Sequence, residues 1–288
     1  MPEVEKARTT GFCFGVRRAV EMLEKIAQER GGIETLGDVV HNKQVVQRLE
    51  ELGVKVVRDI DDIGSDTVVT TSHGISPQRE EEIRSHGIDV ISTTCPNVQR
   101  AQNAAQALAE AGFFVLIFGD AGHPEVQGIL GFAGKSSLAT TDITKVKNLQ
   151  PMPKNIGILA QTTQVPDHFA AFAKAVIDIA LRKNSEIRVI ETICHDLRQR
   201  QPDALELARR SDLMLVVGGR SSANTTRLAE LCGTVTETHH IETAADIDPA
   251  WLKGKKHIGV TSGASTADET VDEVIKNLEQ GITATKQP

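Results

Sequence analysis

Short apolar runs alternate with stretches of helical period along almost the whole chain. Runs rich in Val, Ile, Leu and Thr predict strands at residues 67–72, 89–92, 113–119, 156–160, 187–193, 213–218 and 257–261. Between them, helical patterning predicts helices over 17–30, 77–86, 97–111, 166–181, 202–210, 224–232 and 267–280. A strand–helix–strand cadence of this kind implies an α/β fold with mainly parallel sheets. There is no low-complexity linker, so boundaries come from rhythm alone. Segments 68–95, 116–158 and 189–262 each contain more than one strand that ends in a polar, small-residue turn, which suggests three similar α/β units. We place their bounds at 14–95, at 96–191 and at 192–280 together with 1–13, leaving 281–288 as a C-terminal tail.

Composition narrows the class. A chain of 288 residues with 40% hydrophobic and 25% charged positions is an ordinary globule and not a collagen-like or disordered chain. With 32 Lys plus Arg against 39 Asp plus Glu, a formal charge of −7, 8 Phe, 1 Trp and no Tyr, it lacks the basic, aromatic surface that nucleic acid requires. No run approaches the roughly 18 apolar residues that span a bilayer, and the first residues lack the apolar core of a secretory signal. The expectation is a cytoplasmic protein with neither a nucleic acid nor a membrane as partner.

The four cysteines, Cys13, Cys95, Cys194 and Cys232, are far apart and form no CxxC pair. A disulfide framework or a zinc ribbon would cluster them, so any shared site must be assembled by the fold. The turns carry the remaining polar chemistry. Ser72-His73-Gly74, Thr94-Cys95-Pro96, Gly122-His123-Pro124-Glu125, Gln161-Thr162-Thr163, Thr192-Ile193-Cys194, Ser221-Ser222-Ala223-Asn224 and Ser262-Gly263-Ala264-Ser265 all fall where a strand hands over to a helix. In open α/β sheets that edge binds ligands, and helix N-termini favour anions. Any single Ser, Thr or Asn there reads as a helix cap. Seven such turns, several with Cys or His, point to an anionic ligand beside metal-binding thiolates.

His41, His73 and His123 stand in comparable polar turns and suit either metal ligation or donation to phosphate oxygens. Glu125, two residues after His123, is either a dipole-stabilising acid or an acid/base group. His239 and His240 are neighbours on a strand, point to opposite faces and read as structural. Cys232, on an apolar helix face, reads as a buried thiol. Cys13 opens the first long helix just ahead of Arg17 and Arg18, where a thiol pKa would be lowered. Residues 128–136 resemble a Walker A loop but lack its first glycine, and there is no GxGxxG, so ATP and NAD have no support.

With those turns, Gly11-Phe12-Cys13-Phe14-Gly15-Val16, Val40-His41-Asn42 and Gly119-Asp120-Ala121-Gly122-His123-Pro124-Glu125 occur in an order that resembles the 4-hydroxy-3-methylbut-2-enyl diphosphate reductases, from about residue 9 to 280. The resemblance implies three α/β domains around a central iron–sulfur cluster and the last step of the methylerythritol phosphate route to isoprenoids. It implies a [4Fe–4S] cluster held by Cys13, Cys95 and Cys194, with the fourth iron open to substrate. It gives diphosphate binding to His41, His73, His123, Ser222, Asn224 and Ser265, and the proton relay to Glu125 with Thr162. Such a reaction takes its electrons from a reduced ferredoxin or flavodoxin. Those carriers are typically acidic, so Arg17, Arg18, Arg198 and Arg200, close in sequence to Cys13 and Cys194, read either as a solvated helix face or as a docking patch for such a carrier.

The chain departs from the family pattern in three places. Ala223 replaces a serine, His195-Asp196-Leu197-Arg198 replaces a small residue and Thr after the third cysteine, and Ser265-Thr266-Ala267 lacks a proline. Rival readings are a hydrolytic zinc enzyme, which would be colourless, and an iron–sulfur sensor without turnover.

Overall fold

The computed structural model describes residues 2–40 and 42–284, with side chains to 280. A short polar strand, β1 (Glu3–Lys6), leads through Cys13 into α1 (Phe14–Arg30). Then come β2 (Ile33–Leu36), α2 (Lys43–Glu51), β3 (Val54–Val57), β4 (Thr67–Thr70), α3 (Pro77–Ser85) and β5 (Asp89–Ile91), and Cys95 caps α4 (Pro96–Glu110). Next are β6 (Phe114–Phe118), α5 (Pro124–Ala133), β7 (Ser137–Ala139), α6 (Ile143–Lys147), β8 (Asn155–Ala160), α7 (Pro166–Leu181) and β9 (Glu186–Ile190). Cys194 precedes α8 (His195–Ala208), which is followed by β10 (Leu213–Val217), α9 (Ala223–Gly233), β11 (Thr238–Ile241), β12 (His257–Ser262) and α10 (Asp268–Ala284).

The strands form three four-stranded sheets, ordered β1-β12-β10-β11, β3-β2-β4-β5 and β7-β6-β8-β9, and every pairing is parallel. These are the three α/β units that the strand–helix cadence implies, and one topology repeats in them. In each, one edge strand (β1, β5 or β9) runs out to a cysteine that stands immediately before a helix: Cys13 before α1, Cys95 before α4, Cys194 before α8. The chain divides into two compact units. Residues 1–17, 40–48 and 195–288 hold the first sheet; residues 18–39 and 49–194 hold the other two.

Both faces of the inner strands are covered, as parallel sheets demand. In the first unit Leu213, Leu215 and Val217 pack with Val271, Val274 and Leu278 of α10, while Met214 and Val216 meet Leu207 of α8 and Leu228 and Cys232 of α9. In the second, Val115 and Ile117 face α4 and α5 through Ala105, Leu108, Val126 and Ile129, and Leu116 and Phe118 face Phe169, Phe172 and Val176 of α7. Gly157 on β8 is required by this packing, because a Cβ there would stand 2.7 Å from both Leu108 methyls.

The seven patterned strands and seven helices are all present, with shifted ends. The chain also contains β1, β2, β3, β7 and β11, each of four residues or fewer and too short to show periodicity. One boundary is corrected. Pro202 suggests a helix start, yet α8 begins at His195 and carries Pro202 inside it.

Candidate active site

All seven polar turns lie where the sequence puts them, at carboxyl ends of parallel strands and amino ends of helices. In the second unit a polar cluster surrounds Glu125, which sits in the first turn of α5 and is 2% exposed. Its Oε1 accepts the backbone N–H of Thr162 at 2.6 Å and its Oε2 accepts the Thr162 hydroxyl at 2.9 Å. The Thr162 carbonyl in turn accepts the N–H of Cys194 at 2.9 Å. One residue therefore joins a buried carboxyl group to a cysteine backbone.

His123 caps α5, its Nδ1 accepting the N–H of Glu125 at 3.2 Å. That acceptor role places the proton of a neutral ring on Nε2, where it can be donated to an anion. The His73 ring lies edge-on to the His123 ring at 5.4 Å between centroids, and Thr71 Oγ1 stands 3.3 Å from His73 Nδ1. The carbonyl of Ser72, one residue before His73, accepts the N–H of Cys95 at 3.0 Å.

Two residues that the sequence reading missed hold the Cys194 segment. Asn97 Nδ2 donates to Cys194 Sγ at 3.2 Å, and Arg100 donates to the carbonyl of Ile193 at 3.2 Å. No local motif signals either contact, because the partners are nearly a hundred positions away in sequence.

In the first unit Ser222 caps α9, its Oγ accepting the N–H of Thr225 at 3.3 Å; its own hydroxyl proton is left as a donor. Asn224 is 6% exposed and Ser265 8% exposed, and among the described residues both amide atoms of Asn224 and the Ser265 hydroxyl have no hydrogen-bond partner. Buried polar groups of that kind cost about 1–3 kcal/mol each unless a ligand satisfies them. Cys13 is anchored by its N–H to the carbonyl of Ala264 at 2.9 Å, beside Ser265. Gly11 holds φ +74° and faces the Asp268 carboxylate so closely that any Cβ would collide with it. His41 lies outside the described residues.

The donor set suits an iron–sulfur group. Three thiols, none in a disulfide, stand at helix N-termini. N–H groups already approach two of the sulfurs: Asn97 at Cys194, and Val16 N at Cys13 Sγ at 3.5 Å. Cys13 belongs to the first unit and the other two to the second. Among the described residues, no three His, Cys, Asp or Glu side chains are gathered closely enough to hold a metal ion. Cys232 differs: it is fully buried in α9, and burial pushes its thiol up to about 12.

The docking-patch expectation is corrected at Arg200. Its side chain is 1% exposed, and its guanidinium is spent on the carbonyls of Thr9, Gly11 and Ser262 and on the Asp196 carboxylate. Asp196, from the stretch that departs from the family pattern, thus serves to hold Arg200. Arg17 pairs with Asp268 at 3.0 Å and lies 5.9 Å from the Phe12 ring centroid, and Arg18 donates to the Thr94 carbonyl at 3.3 Å. His239 stacks on Trp251 at 3.7 Å and His240 bonds the Gly218 carbonyl at 2.9 Å, which are packing roles.

The family model of the LytB protein matches residues 4–279. The chain belongs to the LytB protein family. Two relatives are named 4-hydroxy-3-methylbut-2-enyl diphosphate reductase. The one from Dehalococcoides mccartyi is 54% identical over 278 residues, 96% of this chain and 98% of the relative. The one from Geobacter metallireducens is 44% identical over 279 residues, 96% and 97% of the two chains. Among solved structures, that of (E)-4-hydroxy-3-methyl-but-2-enyl diphosphate reductase, described as the terminal enzyme of the non-mevalonate pathway, matches with TM-score 0.67 and 36% identity over 97% of this chain and all of that one. The E-1-hydroxy-2-methyl-but-2-enyl-4-diphosphate reductase from Plasmodium falciparum matches with TM-score 0.89 and 26% identity over 96% of this chain and 87% of that one. Among the described residues, no helix is long and apolar enough to cross a membrane.

Proposed function

We propose that this chain, in the cytoplasm, reduces 4-hydroxy-3-methylbut-2-enyl diphosphate to isopentenyl and dimethylallyl diphosphate. The reaction consumes two electrons and two protons and releases the substrate hydroxyl as water. The observation that carries this reading is the buried Glu125–Thr162 pair, bonded through the Thr162 carbonyl to Cys194. A proton donor locked beside a cysteine suits a reaction that couples electron delivery to loss of water.

In this reading Cys13, Cys95 and Cys194 hold a [4Fe–4S] cluster with one iron open to substrate, in three domains bounded at 14–95, 96–191 and 192–280 with 1–13. When bound, that group supplies the two electrons, received from a reduced ferredoxin or flavodoxin. His41, His73, His123, Ser222, Asn224 and Ser265 bind the diphosphate with neutral donors. The unpartnered atoms of Asn224 and Ser265 support that role, since a phosphate oxygen would satisfy them. Ala223 removes one hydroxyl from this turn and leaves the neighbouring donors to compensate. Glu125, as its carboxylic acid, gives a proton to the leaving hydroxyl, and the Thr162 hydroxyl fixes the carboxyl orientation and relays the proton.

The test is an anaerobic assay of purified protein with the hydroxy diphosphate and a chemical one-electron reductant. The expected result is a brown protein containing iron and acid-labile sulfide that forms both products. Cys13→Ser, Cys95→Ser and Cys194→Ser should each lose iron, and Cys232→Ser should keep it. A colourless, zinc-loaded protein, or an iron-loaded one that leaves the substrate unchanged, would overturn the reading.

A further inference from the structure

Asn97 occupies the second position of α4, after Cys95 at the cap and Pro96 at the first turn. An Asn near a helix N-terminus ordinarily spends its side chain on nearby backbone. Here the carboxamide reaches across to a different strand-end loop and meets Cys194 Sγ at 3.2 Å. The NH2 end of the carboxamide is the one that faces the sulfur.

The sulfur is not a mobile target. Thr162 accepts the N–H of Cys194 at 2.9 Å, Arg100 donates to the Ile193 carbonyl at 3.2 Å, and the Glu191 carboxylate accepts the Ile193 N–H at 2.6 Å. Asn97 and Arg100 lie one turn apart on α4 and grip successive residues, so the approach of Asn97 to sulfur is set by the helix as a whole.

We propose that Asn97 is a positioning residue that raises the reduction potential of the iron–sulfur group held by Cys194, by donating a hydrogen bond to its sulfur. This rests on the cluster assignment made above. Reduction adds negative charge that spreads onto the ligating sulfurs, and an N–H aimed at one of them stabilises the reduced state more than the oxidised one. The electron comes from the protein or chemical donor, and no bond is made or broken at Asn97. Raising the potential makes the group easier to reduce by a donor of limited strength.

The experiment is a redox titration, followed by electron paramagnetic resonance, of anaerobically reconstituted wild type, Asn97→Leu and Asn97→Asp, with iron and sulfide measured first. Leu keeps the size and removes the donor; Asp removes the donor and adds charge. Asn97 is only partly buried, so both variants should fold, and circular dichroism checks this. The expected order of potentials is wild type highest, Leu lower and Asp lowest, at equal iron content. Turnover with a strong chemical reductant should be retained in Asn97→Leu and turnover with a weak protein donor reduced. Equal potentials in wild type and both iron-loaded variants would overturn the proposal while leaving the cluster assignment intact. A wild type without iron would overturn the assignment itself, and the proposal with it.

Discussion

Arg200 Nη2 lies 3.1 Å from the carbonyl oxygen of Gly11 and donates to it from the protein interior. The same guanidinium reaches the carbonyls of Ser262 at 3.1 Å and Thr9 at 3.4 Å, with Nε on Asp196 at 3.2 Å. It thereby ties α8 to the loop that carries Cys13 and to the turn that leads to Ser265. Removing it leaves a half-buried carboxylate and three carbonyls short of donors, which should cost about 3–5 kcal/mol. Urea unfolding of the cluster-free protein should show that loss for Arg200→Met, whereas Arg198→Glu, at an exposed site, should stay within about 0.5 kcal/mol of wild type. An Arg200→Met protein as stable as wild type would mean that water replaces the guanidinium at no cost.

Arg200 also shows where a sequence stops being legible. Inner strands such as Leu213–Val217 are apolar at every position and flanked by turn residues, so they can be read directly. The seven strand-to-helix turns are legible for the same reason, because small polar residues concentrate there to cap helices. β1, with the sequence Glu-Val-Glu-Lys, is an edge strand with a single apolar residue among three charged ones, and nothing in its pattern distinguishes it from a loop. Spacing alone puts Arg200 six positions after Cys194 but does not say which way it faces, and a charged residue is assumed to face water. Asn97 and Arg200 owe their roles to partners distant in sequence, which no local window includes.

Asn224 and Ser265 should separate binding from folding. Their buried polar atoms have no partner among the described residues, so they cost stability rather than supply it and stand ready for a ligand. Hydrogen bonds to a charged group are worth about 1.5–3 kcal/mol, which corresponds to roughly 10- to 150-fold in affinity. Calorimetry with inorganic pyrophosphate should therefore show weakening in that range for Asn224→Ala, with a melting temperature no lower than wild type. Unchanged pyrophosphate binding would remove Asn224 from the diphosphate site.

Glu34 gives the fold a defined acid sensitivity. Burial alone would raise its carboxyl pKa, but hydrogen bonds from Lys55 Nζ, from the backbone N–H groups of Gly64 and Ser65 and from the Ser65 hydroxyl outweigh it and lower the pKa from 4.5 to about 2. A carboxyl with a lower pKa folded than unfolded stabilises the native state when ionised; that contribution is complete above 4.5 and is lost as pH falls toward about 2. The stability gap between wild type and Glu34→Gln, from urea unfolding, should be widest above about pH 5 and narrow steadily below 4.5. A gap independent of pH would show that the bonds to Glu34 do not depend on its charge.

The Glu125→Gln variant tests the acid most directly. The substituted amide can keep both contacts, its oxygen accepting the Thr162 N–H and its NH2 donating to the Thr162 hydroxyl, so the turn and the N–H···O bond from Cys194 should survive. What it lacks is a proton that can be given away. Loss of general acid catalysis typically costs about 100- to 10,000-fold in rate. Turnover should fall by that factor while iron content and KM remain near wild type, because the diphosphate is held by other residues. Thr162→Val, which removes the hydroxyl that relays the proton but keeps the N–H to Oε1, should also lower turnover at unchanged iron content. If Glu125→Gln turns over at the wild-type rate, the proton reaches the leaving hydroxyl by another route, and the buried Glu125–Thr162 pair serves only to brace the loop ahead of Cys194.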